Sequence, residues 1–213
     1  LAVILQFYLG VRPGELVALK ESDVSRDHIH IQHMERSCYT EGPDGKFRKT
    51  SREVVEHTKT DAGDREIPLI EKAKLVIKLA MAANERNGCS GSYLFMNQGK
   101  RITENAIACR LRKYCKSLDI PYRSPHKVRK TVISSMIDEG ININTVRKII
   151  GHEDERTTYN NYCYDRKRPE EIVSQLDRAL DKNYNRKNVI DFPNGREKIT
   201  EVTRGNQKWA NFR

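Results

Sequence analysis

The first nine residues, LAVILQFYL, are apolar almost throughout and stop at Gly10, the pattern of a buried helix closed by a glycine cap. A short second helix, PGELVALK, follows, since Pro13 at a first helical position gives up no internal hydrogen bond. The period then changes. HIHIQHMERSCY and FRKTSREVVEHT alternate and carry β-branched residues, with EGPDG as the turn between them, TDAGD as a second turn and REIPLI as a third strand. One three-stranded antiparallel sheet is the economical arrangement. Helical spacing returns in EKAKLVIKLAMAANER, where Leu75, Leu79 and Ala82 are expected along the buried stripe and Asn87-Gly88 ends the helix.

Farther on, YLFM reads as a short buried segment, and ITENAIACRLRKYCKSL as a helix with Thr103 at its N-cap. Ser124-Pro125 supplies the N-cap and first position of a helix running to about Glu139, stopped by Gly140. INTVRKII is a shorter helix closed by Gly151, and PEEIVSQLDRAL, around 169–180, is the last. From Asn183 the chain is polar and aperiodic, with VIDF and Trp209 as its few apolar anchors. The expected fold class is therefore α+β, mainly α, with a small antiparallel sheet near the N-terminal end. Residues 1–182 are expected to form one domain. Residues 183–213 are expected to form a tail that is flexible or docks on a neighbouring protomer. Leu1 already reads as the middle of a helix, which raises the expectation of further chain ahead of it.

Composition narrows the classes. The chain has 213 residues, a net charge of +10, 37% hydrophobic and 32% charged residues. That balance fits a globular protein and excludes a disordered or membrane-embedded chain. Excess Lys and Arg favours a polyanionic partner, because each phosphate neutralised releases condensed counterions. Five cysteines (Cys38, Cys89, Cys109, Cys115, Cys163) are scattered, with no CxxC pair. They argue against a disulfide scaffold or a cysteine zinc site and for a reducing, cytoplasmic compartment. No apolar run is long enough to span a bilayer, so no membrane partner is expected.

Four segments carry candidate chemistry: GVRPGEL at 10–16, TKTDAGDREIPL at 58–69, PHKVRKT at 125–131, and GHEDERTTYNNY at 151–162. Singly, each has an ordinary structural explanation. Their succession (an Arg, a hairpin Lys, His-x-x-Arg, Gly-His, then Thr-Thr and a Tyr) resembles the tyrosine recombinase, or phage integrase, family over residues 1 to about 180. Gly10, Val11, Arg12, Glu15 and Leu16 match the family's first arginine segment. Lys59, followed by Arg65, Ile67, Pro68 and Leu69, matches its hairpin lysine and R-x-I-P-L strand. His126 and Arg129 fill the H-x-x-R box, and Gly151 and His152 the Gly-His pair.

The resemblance implies a helical catalytic domain that cuts and rejoins double-stranded DNA through a covalent 3′-phosphotyrosine. Relatives usually carry an N-terminal DNA-clamping domain and assemble as homo-tetramers on DNA, with accessory DNA-bending proteins as possible partners. Attack on a phosphodiester builds negative charge on the non-bridging oxygens, which preorganised cations stabilise. Arginine suits that task through permanent charge and a planar fork, so Arg12 and Arg129 are read as a phosphate clamp. A phenol with a pKa near 10 needs help to act as nucleophile. His126 is read as the proton acceptor and His152 as a donor to a phosphate oxygen. Glu15 is read as orienting one of the basic residues, and the family assigns Lys59 to protonate the leaving 5′ oxygen. The phosphotyrosyl bond conserves the energy of the phosphodiester, so religation calls for no cofactor.

Three tyrosines compete in TTYNNYCYD: Tyr159, Tyr162 and Tyr164. The family spacing of ten residues after His152 and four after Thr158 selects Tyr162 as nucleophile. His28, His30 and His33 lie close enough to raise a metal site, but no carboxylate or cysteine nearby in sequence completes a ligand set, so none is expected. Two other functions share part of the pattern. Type IB topoisomerases use similar chemistry, but the Gly-His and Thr-Thr-to-Tyr spacing and the compact length favour a recombinase. A non-catalytic DNA-binding relative would have lost members of the set, whereas every position here is filled.

Overall fold

Helix α1 (Ala2–Leu9) ends at Gly10, whose left-handed φ of 64° lets its N–H reach back to the Gln6 carbonyl at 2.9 Å. A residue with a Cβ resists that conformation, and a Cβ here would also meet Val132 Cγ1 at 3.0 Å. The computed structural model describes residues 1–89, 92–152 and 169–184. The chain divides into two compact units, 1–164 and 165–213.

In the first unit the extended chain after Gly10 enters helix α2 (Pro13–Ala18), with Pro13 at its first position as expected. Glu15 turns its carboxylate back onto the Arg12 backbone N–H at 2.9 Å and so caps the helix start. All six residues of α2 are buried. Strand β1 (His28–Ile31) then pairs with β4 (Arg65–Pro68), while β2 (Met34–Glu41) pairs with β3 (Phe47–Val55). The expected three-stranded sheet is thus corrected to two antiparallel ribbons. HIHIQHMERSCY breaks at Gln32-His33, where Asp23 accepts from the Gln32 amide at 2.8 Å and the chain leaves the β1–β4 plane. At the root of the second ribbon, buried Glu35 accepts from Arg52 at 2.6 Å, Arg101 at 2.7 Å and the Glu104 N–H at 3.1 Å.

Helix α3 (Glu71–Arg86) packs on α1 and buries Ala73, Val76, Ile77 and Ala80, while buried Asn84 donates to Glu21 and to the Tyr93 carbonyl. This corrects the expected stripe, because Leu75 and Leu79 are exposed at 58% and 46%. Small Ala73 and Ala80 let the two helices approach closely, and the longer leucines face outward. Leu94 and Phe95 are buried as the YLFM reading required, leading into the minimal hairpin of β5 (Met96–Asn97) and β6 (Lys100–Arg101). Helix α4 (Glu104–Ser117) starts at Thr103, whose Oγ1 accepts the Ala106 N–H. Helix α5 (Pro125–Asp138) starts at Ser124, which accepts the Lys127 N–H. Helix α6 (Ile143–Ile150) closes at Gly151 with φ 65°.

The main core gathers Leu5, Leu9, Leu16, Ile29, Ile31 and Leu94, all fully buried, and each such side chain contributes about 1.5–3 kcal/mol. A smaller cluster of Ile133, Val146 and Ile150 fastens α6 to α5. In the second unit the last helix, α7 (Pro169–Tyr184), runs four residues past the expected 180 and carries exposed Ile172, Val173, Leu176 and Leu180. Most of the expected tail, 185–213, lies outside the described residues. Among the described residues no helix is long and apolar enough to cross a membrane.

Gly10→Ala tests the turn that feeds Arg12. The left-handed backbone and the Val132 contact should cost about 1–2 kcal/mol, a fall in Tm of roughly 2–8 °C. A thermal melt indistinguishable from the parent would contradict this reading of the turn.

Candidate functional site

The C-terminal end of α6 is where the candidate residues meet. The last carbonyls of a helix lack internal partners and carry partial negative charge. Here three successive ones each accept from a different arginine. Arg65 Nε donates to Ile149 at 2.6 Å, Arg129 Nη2 to Ile150 at 2.6 Å, and Arg12 Nη2 to Gly151 at 2.9 Å. The three guanidinium groups come from β4, α5 and the residue preceding α2, so this one helix end ties together distant parts of the chain.

Each arginine has a further anchor. Arg129 is buried and also donates Nη1 to the Gly10 carbonyl at 2.7 Å. The glycine turn thus fixes both the approach to Arg12 and the Arg129 fork. Gln6, fully buried, donates to the carbonyls of Val11 and Pro125 at 3.3 and 3.2 Å, holding the segment before Arg12 against the start of α5. Arg12 donates Nη1 to Glu15 Oε1 at 2.7 Å, and its side chain remains 25% exposed. It is the member of the trio that solvent, and therefore a phosphate, reaches most directly.

Glu15 sits 2% exposed between two cations, with Arg65 Nη2 at 3.0 Å from Oε2. Burial disfavours its charge, but Arg65 and Arg12 outweigh that and hold its carboxyl below the ordinary glutamate range. Glu15 thus holds the Arg12 guanidinium on one side and that of Arg65 on the other.

His152 follows the capped carbonyls. Burial, then the positive charge of Arg129, Arg12, Arg65 and Arg147, lowers its pKa to about 4. At neutral pH it is an uncharged imidazole with one N–H to donate. Gly151 before it admits no side chain, since a Cβ would lie 2.7 Å from the Ala62 carbonyl and 2.9 Å from Arg65 Nη1.

That contact brings in the lysine turn. Residues 61–63 form a single 3-10 turn whose end, the Gly63 carbonyl, accepts from Arg65 Nη1 at 2.6 Å. Buried Thr58 donates its hydroxyl to the Thr60 carbonyl at 2.6 Å and packs directly over Gly63, leaving no room for a Cβ there. Lys59 therefore projects from a tightly closed loop lying against the end of α6. Its side chain is exposed, and among the described residues no hydrogen bond or ion pair engages it.

The structure places Arg12, Glu15, Arg129 and His152 together, with the Lys59 turn docked beside them. His126, one turn before Arg129, points to solvent while Arg129 points inward. Tyr162, Tyr159 and Tyr164 lie outside the described residues. The three histidines meet separate carboxylates: His28 lies between Asp27 and Glu66, His30 meets Asp64 and His33 meets Asp23. Among the described residues no group of three metal-binding side chains forms.

Sequence reasoning passed over Arg65, which it treated only as part of a strand motif. A signal was present. In REIPL the alternation puts Arg65 on the same face as Ile67 and Leu69, and an arginine on a buried strand face requires a buried acceptor.

Comparison with known proteins gives a match to the phage integrase family model over residues 1–168. A tyrosine recombinase XerC-like protein of Caldanaerobacter subterraneus subsp. tengcongensis is 25% identical over 172 residues, 76% of this chain and 44% of that protein. The integrase of Staphylococcus phage L54a is 27% identical over 188 residues, 84% of this chain and 49% of its own length. The chain thus spans about half the length of the curated relatives it matches. The crystal structure of XerA recombinase superposes with a TM-score of 0.61 at 22% identity, covering 82% of this chain and 57% of that one. The Tn1549 transposon integrase in complex with circular intermediate DNA gives 0.61 at 19% identity, with 84% and 58% coverage.

The lowered pKa of His152 has a pH signature. The unfolded chain takes up that proton near pH 6.5, before the folded one does. Stability should therefore fall as pH drops from about 6.5 to about 4, then stop responding to this group. Chemical denaturation across that window checks it: the stability of the parent should decline more steeply than that of His152→Asn, whereas parallel curves would contradict the assignment.

Proposed function

The chain belongs to the phage integrase family of tyrosine recombinases, and from that premise we propose that it is a site-specific DNA recombinase acting through a covalent 3′-phosphotyrosine at Tyr162. The observation that carries the reading is the convergence of Arg12, Arg129 and His152 on one helix end, with the Lys59 turn packed against it.

In this reading Tyr162 Oη attacks the phosphorus and the bond to the 5′ oxygen breaks. Arg12, partly open to solvent, binds a non-bridging oxygen directly. Arg129 adds positive charge from beneath and completes the clamp, and loss of one such preorganised donor typically costs about 10²–10³ in rate. His152 donates from its neutral form. His126, exposed at the first turn of α5, accepts the phenol proton directly or through the phosphate. Lys59, unpaired on its turn among the described residues, delivers a proton to the departing 5′ oxygen. Religation runs the same steps in reverse and regenerates the tyrosine.

Residues 1–182 are read as the catalytic domain and 183–213 as a tail. The partner is double-stranded DNA, with integration or excision of a mobile element in the cytoplasm as the biological setting. The exposed apolar stripe of α7 supports self-association, and a homo-tetramer on DNA, aided by DNA-bending proteins, is the assembly proposed.

A nicked duplex drawn from a randomised pool, selected by covalent capture on the parent protein, tests the nucleophile. Tyr162→Phe should retain DNA binding and lose the protease-sensitive adduct entirely. An adduct that survives in Tyr162→Phe and disappears in Tyr164→Phe would overturn the choice of tyrosine. Strand exchange between two duplexes is the expected reaction, and relaxation of supercoils without exchange would favour a topoisomerase.

A further inference from the structure

Arg65 belongs to none of the catalytic roles above, yet its guanidinium reaches three separate parts of the site. Its side chain is 6% exposed. Nε meets the Ile149 carbonyl at 2.6 Å, Nη1 the Gly63 carbonyl at 2.6 Å, and Nη1 and Nη2 the two Glu15 oxygens at 3.4 and 3.0 Å. These acceptors belong to three different parts: the helix end before His152, the turn that carries Lys59, and the carboxylate that orients Arg12.

The three dependencies are unequal. Arg12 keeps its own bonds to Glu15 and to Gly151 whatever happens at Arg65. Ile150 and Gly151 keep their own arginine caps. The Lys59 turn has a different position. Among the described residues its other polar ties run within the turn, from Thr58 to Thr60 and from the Gly63 N–H to Thr60, or to strand β1, between His30 and Asp64, so among the described side chains Arg65 is the one that hydrogen-bonds it to the end of α6. A planar guanidinium can serve these divergent acceptors at once, and a lysine ammonium of one nitrogen cannot.

We propose that Arg65 is a positioning residue that sets the Lys59 turn in register with the phosphate site, so that the 5′ oxygen receives its proton as its bond to phosphorus breaks. This rests on the reading of Lys59 as the general acid. A misplacement of about 1 Å is enough to lower a rate by about 100-fold.

The step suggests its own discriminating probe. Replacing the bridging 5′ oxygen by sulfur gives a leaving thiolate whose conjugate acid has a pKa of about 8.5, so departure no longer needs a proton from the enzyme. Single-turnover cleavage is measured on matched oxygen and sulfur versions of the selected nicked duplex. Arg65→Lys keeps a charge beside Glu15. It should bind DNA like the parent, cleave the oxygen substrate about 100-fold more slowly, and cleave the sulfur substrate within about threefold of the parent rate. Arg65→Gln should behave alike. If it fails to fold, Arg65→Lys alone decides.

Lys59→Ala and Tyr162→Phe separate the possible failures. Sulfur should rescue Lys59→Ala and leave Tyr162→Phe inactive. If Lys59→Ala is rescued while Arg65→Lys loses rate equally on both substrates, or on neither, the inference about Arg65 is wrong and the catalytic reading stands. If sulfur does not rescue Lys59→Ala, the general-acid reading falls and takes this inference with it.

Discussion

The capping of the α6 C-terminus by three arginines is the interaction on which the rest of the site depends. The carbonyls of Ile149, Ile150 and Gly151 are electron-rich acceptors without helical partners, and each is satisfied by a guanidinium from elsewhere in the chain. The contacts work in both directions. The helix end gains charge-assisted hydrogen bonds, and the arginines gain fixed orientations. Glu15 is shared by two of the three, Arg12 and Arg65. Positive charge is thereby held in place beside His152, where burial first and that charge second lower the imidazole pKa. Clustered positive charge is costly to keep near low-dielectric surroundings, and a bound phosphate would relieve that cost.

Glycines make the assembly possible at a few points only. Gly10 turns the chain so that its own carbonyl meets Arg129 while Arg12 enters α2. Gly151 lets its backbone approach the Ala62 carbonyl, and Gly63 leaves room for the Thr58 side chain. The motif pairs Gly-x-Arg and Gly-His thus have a common physical basis: the glycine is the approach that lets the next functional residue reach its place. Binding energy from distant DNA contacts can then be used to seat the phosphate rather than to organise the protein.

Much of this was legible in the sequence because the signals were local. Thr103 and Ser124 cap their helices, Pro13 and Pro125 open theirs, and Gly10, Gly140 and Gly151 all take positive φ at helix ends. The candidate residues could be named because their order is a motif. What sequence could not supply was pairing between distant elements. Alternation identified strands but not that β1 would choose β4, leaving β2 and β3 as a separate ribbon. Periodicity identified α3 but chose the stripe of large leucines, whereas packing against α1 selected the face with Ala73 and Ala80. Arg65 was missed for the same reason, since its acceptors lie 2, 50 and 84 residues away.

The proposed chemistry is the transfer of a phosphate seated at this helix end to the hydroxyl of Tyr162. The most direct measurement is fragmentation mass spectrometry of the covalent adduct after tryptic digestion. The peptide of residues 157–166 carries all three candidate tyrosines. The expected adduct is a nucleotide joined through its 3′ phosphate to Tyr162. A nucleotide on Tyr159 or Tyr164, or one joined through a 5′ phosphate, would contradict it.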